Sequence, residues 1–155
     1  MALYLWYLFF GNSVLRYTTP MNDTIFGKII RGEIPATKVY EDEHFLAFLD
    51  ISPVMKGHTL LIPKAHYTWI HEVPDETIAA IFVKAKELIT AMRKGIPCDY
   101  VQLGVVGNEV PHFHIHLIPR YLEGEVHISS RPHVSYENPD EMNTFAEKIK
   151  NGLAQ

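Results

Sequence analysis

His112-Phe113-His114-Ile115-His116-Leu117-Ile118 alternates imidazole with apolar side chains. In a strand, alternate residues share a face, so the three imidazoles line one side while Phe113, Ile115 and Leu117 enter a core. A merely solvated face would be better served by Lys or Thr. A row of imidazoles supports two chemistries. The first is metal binding, for which two histidines at i and i+2 plus a third from a neighbouring strand suffice. With a rise of roughly 3.3–3.4 Å per residue the outer pair lies about 13–14 Å apart, which disfavours one ion for the whole row. His58 with two of the three could still complete a site. The second is nucleophilic attack at phosphorus. A neutral imidazole is a competent nucleophile near pH 7, its ordinary pKa being about 6.5. One ring attacks while its neighbours hydrogen-bond phosphate oxygens, and a covalent intermediate divides the displacement into two easier steps. That scheme needs no metal and no cofactor.

The elements that must hold this row are legible from punctuation and periodicity. Asp23 or Thr24 can cap a short helix carrying Ile25, Phe26, Ile29 and Ile30 on one face, ended by Gly32 and Pro35. Thr37–Glu41 and Phe45–Ile51 read as strands around the turn Asp42-Glu43-His44, and His58–Ile62 as a third strand stopped by Pro63. Asp75–Lys94 is the clearest helix, with Ile78, Ile81, Phe82, Ala85, Leu88, Ile89 and Met92 recurring at three- and four-residue steps. Tyr100–Val106 and Phe113–Pro119 are the last two strands, joined by a short turn. A final helix follows Pro139 with Met142, Phe145, Ile149 and Leu153 inward. These elements predict an α+β fold: a five-stranded antiparallel sheet with one long helix and short terminal helices.

The chain has 155 residues, enough for one domain, with 47% hydrophobic and 21% charged residues. A net charge of −4 excludes a grip on a long nucleic-acid backbone, which needs a basic face. The single cysteine, Cys98, excludes a disulfide framework and a four-thiolate zinc site. Residues 1–20 stand apart. Ala2 to Phe10 is an unbroken apolar run that stops at Gly11-Asn12-Ser13, short of the roughly 20 residues a spanning helix needs. It lacks the basic n-region of a secretory signal. The run reads as an element packed on the domain, a weak membrane anchor, or upstream sequence attached through a misjudged start. The last is favoured, because Met21 opens a well-formed domain over 21–155. A cytoplasmic protein without membrane attachment is expected.

The alternating stretch His112–Ile118 resembles the signature of the histidine triad superfamily of nucleotide hydrolases and transferases. The resemblance extends to Thr24-Ile25-Phe26-Gly27-Lys28-Ile29-Ile30 with Glu33-Ile34-Pro35, and to Phe48-Leu49-Asp50-Ile51-Ser52-Pro53 followed by Gly57-His58-Thr59-Leu60-Leu61-Ile62-Pro63-Lys64. It covers roughly residues 23–120 and implies a small-molecule nucleotide substrate. It also implies that His114 is the nucleophile. His116 would then contact phosphate oxygens, His112 would help fix the nucleophile's ring, and His58 would hydrogen-bond near the phosphate. Asp50 would hold the ribose hydroxyls as a charged acceptor. Ile25, Phe26, Ile29, Leu49 and Ile51 would form the apolar slot for the base. The substrates implied are nucleoside phosphoramidates or dinucleoside polyphosphates. His44, His66, His71, His127 and His133 show no alternation and read as surface or local-structure residues.

The segment before the triad departs from the family, whose best-known branches carry an asparagine, a glycine-rich loop and then Gly-Gln-Ser/Thr. Here Val105-Val106 runs directly into Gly107-Asn108-Glu109-Val110-Pro111. Anchored on His112, Asn108 takes the glutamine place and Glu109 the serine or threonine place. Alternatively, Asn108 is the displaced asparagine. Either way Asn108 is a candidate substrate-binding residue. A carboxylate at Glu109 repels phosphate unless it points away or is protonated, and facing the site it could serve a leaving group as an acid. The apolar strand Tyr100–Val106, beside a helix bearing Ala79 and Ala80, would be an exposed sheet edge. Together with the family's habit of pairing there, it predicts a two-fold homodimer.

Overall fold

The computed structural model describes residues 23–107, 109–122 and 134–154. The apolar run near the start of the chain lies outside them, as do Asn108, His127 and His133. The elements are α1 (Ile25–Ile30), β1 (Lys38–Glu41), β2 (Phe45–Leu49), β3 (Thr59–Pro63), a 3₁₀ turn (Ile70–Glu72), α2 (Asp75–Gly95), β4 (Tyr100–Gly104), β5 (Ile115–Arg120) and α3 (Pro139–Leu153). The five strands form one antiparallel sheet in the order β1-β2-β3-β5-β4. The predicted α+β architecture is the one present.

Both faces of β2 are buried, and alternation decides what each residue meets. Phe45, Ala47 and Leu49 join Leu61, Ile115 and Leu117 under Ile81, Ala85, Leu88 and Met92 of α2 and Ile149 of α3. Leu46 and Phe48 face the other way with Leu60 and Ile62, and Phe26 and Ile29 of α1 cover them. The sheet is therefore sandwiched between a two-helix layer and the short α1. Thr24 caps α1 by accepting the Gly27 amide at 3.0 Å. Ile25 was expected on its inner face but is 46% exposed. It lies about 100° around the helix from Phe26, and a helix this short buries only one narrow stripe. Phe82 of α2 is likewise on the surface, 37% exposed.

Two local features deliver residues to the triad face. Gly57 has φ +91° and donates its amide to Tyr136 Oη at 2.9 Å. A Cβ there would sit 2.7 Å from the Ile96 side chain, so the turn that presents His58 needs glycine for both conformation and space. The segment before β5 is anchored by the Phe113 amide, which donates to Tyr67 O at 2.6 Å. The link between β4 and β5 is longer than the expected short turn. The regular pairing stops at Gly104↔His116, and Val105 and Val106 leave the sheet, 40% and 56% exposed.

Candidate active site

The expected alternation holds: Phe113, Ile115 and Leu117 are 2%, 0% and 0% exposed in the helix-side core, and the histidines point the other way. Register then extends the triad face across the sheet, since cross-strand partners share a face. Phe48 pairs with Leu60, Leu60 with His116, and His116 with Gly104. One strand position further on, Gln102 pairs with Ile118 and Tyr100 with Arg120 on the same side.

His114 is buried between Phe26 and His116, with ring centroids 5.1 and 4.7 Å away, both edge-on. Its Nδ1 donates to the backbone carbonyl of His112 at 2.6 Å. A carbonyl can only accept, so the proton of the neutral ring sits on Nδ1 and the lone pair on Nε2. Burial lowers its pKa from the usual value of 6.5, against opposition from that hydrogen bond and from the carboxylates of Asp50 and Glu109. Burial also lowers the pKa of His116, opposed by a hydrogen bond to the Val106 backbone and by Asp50 and Glu109. Both rings are thus kept neutral to lower pH than free imidazole.

His112 does something different from its expected role. Its Nε2 donates to Pro63 O at 3.0 Å and its Nδ1 lies 3.4 Å from the Thr24 hydroxyl. It is 1% exposed, and burial brings its pKa down to about 4. The ring is a neutral pin between the end of β3 and the cap of α1. The nucleophile candidate is oriented by the His112 backbone and not by this ring. His66 packs edge-on to His112 at 5.1 Å and bonds Pro111 O at 2.9 Å, a structural neighbour of the triad that its lack of alternation concealed.

His58 Nε2 and His116 Nδ1 are 2.9 Å apart. On its other side, His58 Nδ1 is 3.3 Å from the Val54 amide and 3.3 Å from Asp50 Oδ2. His116 donates to the Val106 backbone carbonyl, so its Nδ1 accepts from His58 Nε2, and His58 Nδ1 is left to accept the Val54 amide. Only that arrangement leaves neutral His116 with its own proton on Nε2. Asp50 Oδ1 accepts the Ser52 amide at 2.9 Å. The metal alternative required His58 and two triad rings to converge, yet here the facing nitrogens of His58 and His116 are bonded to each other. Among the described residues no group of three His, Cys, Asp or Glu side chains is arranged to hold an ion.

A cleft of about 230 Å³ opens over this face. Asp50, His58, His114, His116, Gln102 and Glu109 supply its polar lining, and Val54, Val106, Ile118 and Gly104 the rest. Glu109 therefore faces the site. Of the expected base slot, Phe26 and Ile29 are buried beside the triad, while Ile25 and the 81%-exposed Ile51 stand at the surface. Leu49 does not belong to the slot. It lies on the helix side of β2, and Phe48 is the residue that meets Phe26, at 5.5 Å edge-on. Alternation applied along Phe45–Leu49 contains that signal. Gln102 was missed altogether, because a single glutamine in a strand carries no pattern.

Comparison with known proteins agrees with this geometry. An uncharacterized HIT-like protein of Methanocaldococcus jannaschii is 49% identical over 107 residues, covering 66% of this chain and 83% of that protein. The adenosine 5'-monophosphoramidase HNT1 of Saccharomyces cerevisiae is 42% identical over 97 residues, 62% of this chain and 61% of its own length. The crystal structure of a Hit-like protein from Bartonella henselae superposes with a TM-score of 0.74 at 31% identity, covering 85% of this chain and 97% of that one. With the HIT domain family model matching residues 31–123 around the same histidine row, the chain belongs to the HIT family.

Proposed function

We propose that the protein is a nucleotidyl hydrolase in which His114 attacks the α-phosphate of a purine nucleotide derivative. The observation that carries this reading is the His114 ring itself: neutral, fixed through Nδ1, with its Nε2 lone pair left for a cleft it helps line. In the first step the Nε2–P bond forms as the bond from phosphorus to the leaving group breaks, and the leaving group departs with a proton taken from water. In the second, water attacks phosphorus, the P–N bond to His114 breaks, and nucleotide is released. In this reading Asp50 accepts from ribose hydroxyls, His116, its ring held by His58, contacts phosphate, and Phe26 with Ile29 and the rim residues Ile25 and Ile51 meets the base.

The lining favours a small amine over a polyphosphate tail as leaving group. It carries the carboxylates of Asp50 and Glu109 and no lysine or arginine among the described residues. A second nucleotide on a phosphate chain would meet repulsion there, whereas a departing ammonium would not. The relative named as an adenosine monophosphoramidase supports the same choice. The experiment is incubation with a panel of nucleoside phosphoramidates and dinucleoside polyphosphates, with acid-free trapping and mass analysis of a nucleotidyl adduct. An adduct on His114 and faster phosphoramidate turnover are expected. No adduct and no turnover with any member would remove the reading in favour of a nucleotide-binding module.

We also propose a two-fold homodimer through the β4 edge. This strand ends the sheet, and Tyr100 and Leu103 on it are 38% and 37% exposed. The alternative cover, the last helix, packs instead on α2 and toward β1.

A further inference from the structure

Arg120 is fully buried on the triad face, at 0% exposure. Its Nη1 and Nη2 find no hydrogen-bond acceptor among the described residues. Its Nε donates to Gln102 Oε1 at 2.8 Å. That bond decides which way the Gln102 amide points. A guanidinium only donates, so Gln102 must turn its oxygen toward Arg120. Flipping the amide would set an NH₂ against an N–H and deprive a buried cation of this acceptor, a cost no exposed glutamine faces. The NH₂ arm is therefore what Gln102 offers to the cleft it lines.

We infer that Gln102, held by Arg120, is a substrate-binding donor to a hydrogen-bond acceptor on the leaving group. This rests on the hydrolase reading above. The placement assigns the leaving group rather than the nucleoside. Asp50 and Phe26 lie toward β2 and α1, on one side of His116, whereas Gln102 lies on β4, on the other. Between them Gly104, paired with His116, has open space where a side chain would be. Ile118 forms the apolar wall beside Gln102. The leaving group so recognised is a neutral amine carrying a carbonyl or similar acceptor a few bonds from its nitrogen.

The test compares two adenosine 5'-phosphoramidates of nearly equal shape, one of glycinamide and one of isobutylamine, which differ in the presence of a carbonyl acceptor. The wild-type protein is expected to prefer the glycinamide compound in kcat/KM by roughly tenfold, the worth of one buried hydrogen bond. Gln102→Glu keeps an oxygen for Arg120 but replaces the donor arm with an acceptor. It should fold with an undiminished Tm and lower the glycinamide-to-isobutylamine ratio by roughly 10–100-fold. A residue that merely satisfied Arg120 would leave the ratio unchanged in Gln102→Glu, and that outcome overturns the inference. So does a wild-type protein that turns over both compounds without preference, a measurement that needs no variant. A wild-type protein that hydrolyses neither compound nor any other nucleotide would instead overturn the hydrolase reading.

Discussion

The Nδ1 of His114 donates to the backbone oxygen of His112 at 2.6 Å, while the His112 ring turns away to Pro63 and Thr24. The nucleophile candidate is thus aligned by its own chain two residues back. Any residue at position 112 that preserves the backbone path supplies the same acceptor.

Replacing the two histidines should therefore have unequal effects. His114→Ala removes the attacking atom and is expected to lower kcat roughly 10⁴–10⁶-fold, the scale seen when a covalent nucleophile is deleted. His112→Gln keeps a neutral donor for Pro63 O and should still form the nucleotidyl adduct, with turnover reduced about tenfold or less through looser packing of Phe26. Mass analysis after rapid quench checks both. An adduct surviving in His114→Ala but lost in His112→Gln would mean that the wrong histidine has been assigned.

Acid sensitivity follows from the same pin. The pKa of His112 drops from 6.5 to about 4 on folding, chiefly through burial. Between those values the unfolded chain binds a proton that the folded chain does not, so stability falls as pH falls through this window. The contribution is on the order of 3 kcal/mol, complete above pH 6.5 and lost toward pH 4. His114 and His116, also lowered, add in the same direction. Urea titrations at a series of pH values should show a steeper loss in the wild type than in His112→Gln. Equal slopes would remove His112 from the account.

The histidine row, the sheet and the cap at Thr24 were legible in the sequence because each rests on a local rule: period two, strand punctuation and helix capping. What escaped depends on contacts between distant segments. Whether His112 faces phosphate or is buried is decided by Thr24 and Pro63, and nothing in His112–His116 distinguishes its first ring from the others. Gln102 and Arg120 meet only through the β4–β5 register. The family resemblance implied Leu49 for the base slot, although the strand pattern already put Phe48, and not Leu49, on that face.

The empty space at Gly104 gives a prediction that separates binding from folding. A Cβ there meets nothing within 4 Å, and the residue sits opposite His116 on the cleft floor. Gly104→Val should leave Tm unchanged or slightly raised, since valine suits a strand better than glycine. It should raise KM about tenfold or more by filling the path between His116 and Gln102. A variant with wild-type KM would show that substrate does not pass over this strand.

The last prediction concerns the exposed edge. Leu103 projects from the terminal strand of the sheet on the face opposite the triad, because it pairs with Leu117, which is buried in the helix-side core. At 37% exposure it is an apolar side chain on an unpaired edge. If two copies join edge to edge, a charge at this position must be desolvated at the interface, whereas in a monomer it would simply be solvated. Light scattering should give about twice the chain mass of 17.8 kDa for the wild type, and close to the single-chain mass for Leu103→Lys at the same micromolar concentration. Circular dichroism should show that the variant keeps its helices and sheet. A wild-type mass equal to that of one chain, unchanged over a hundredfold concentration range, would refute the dimer.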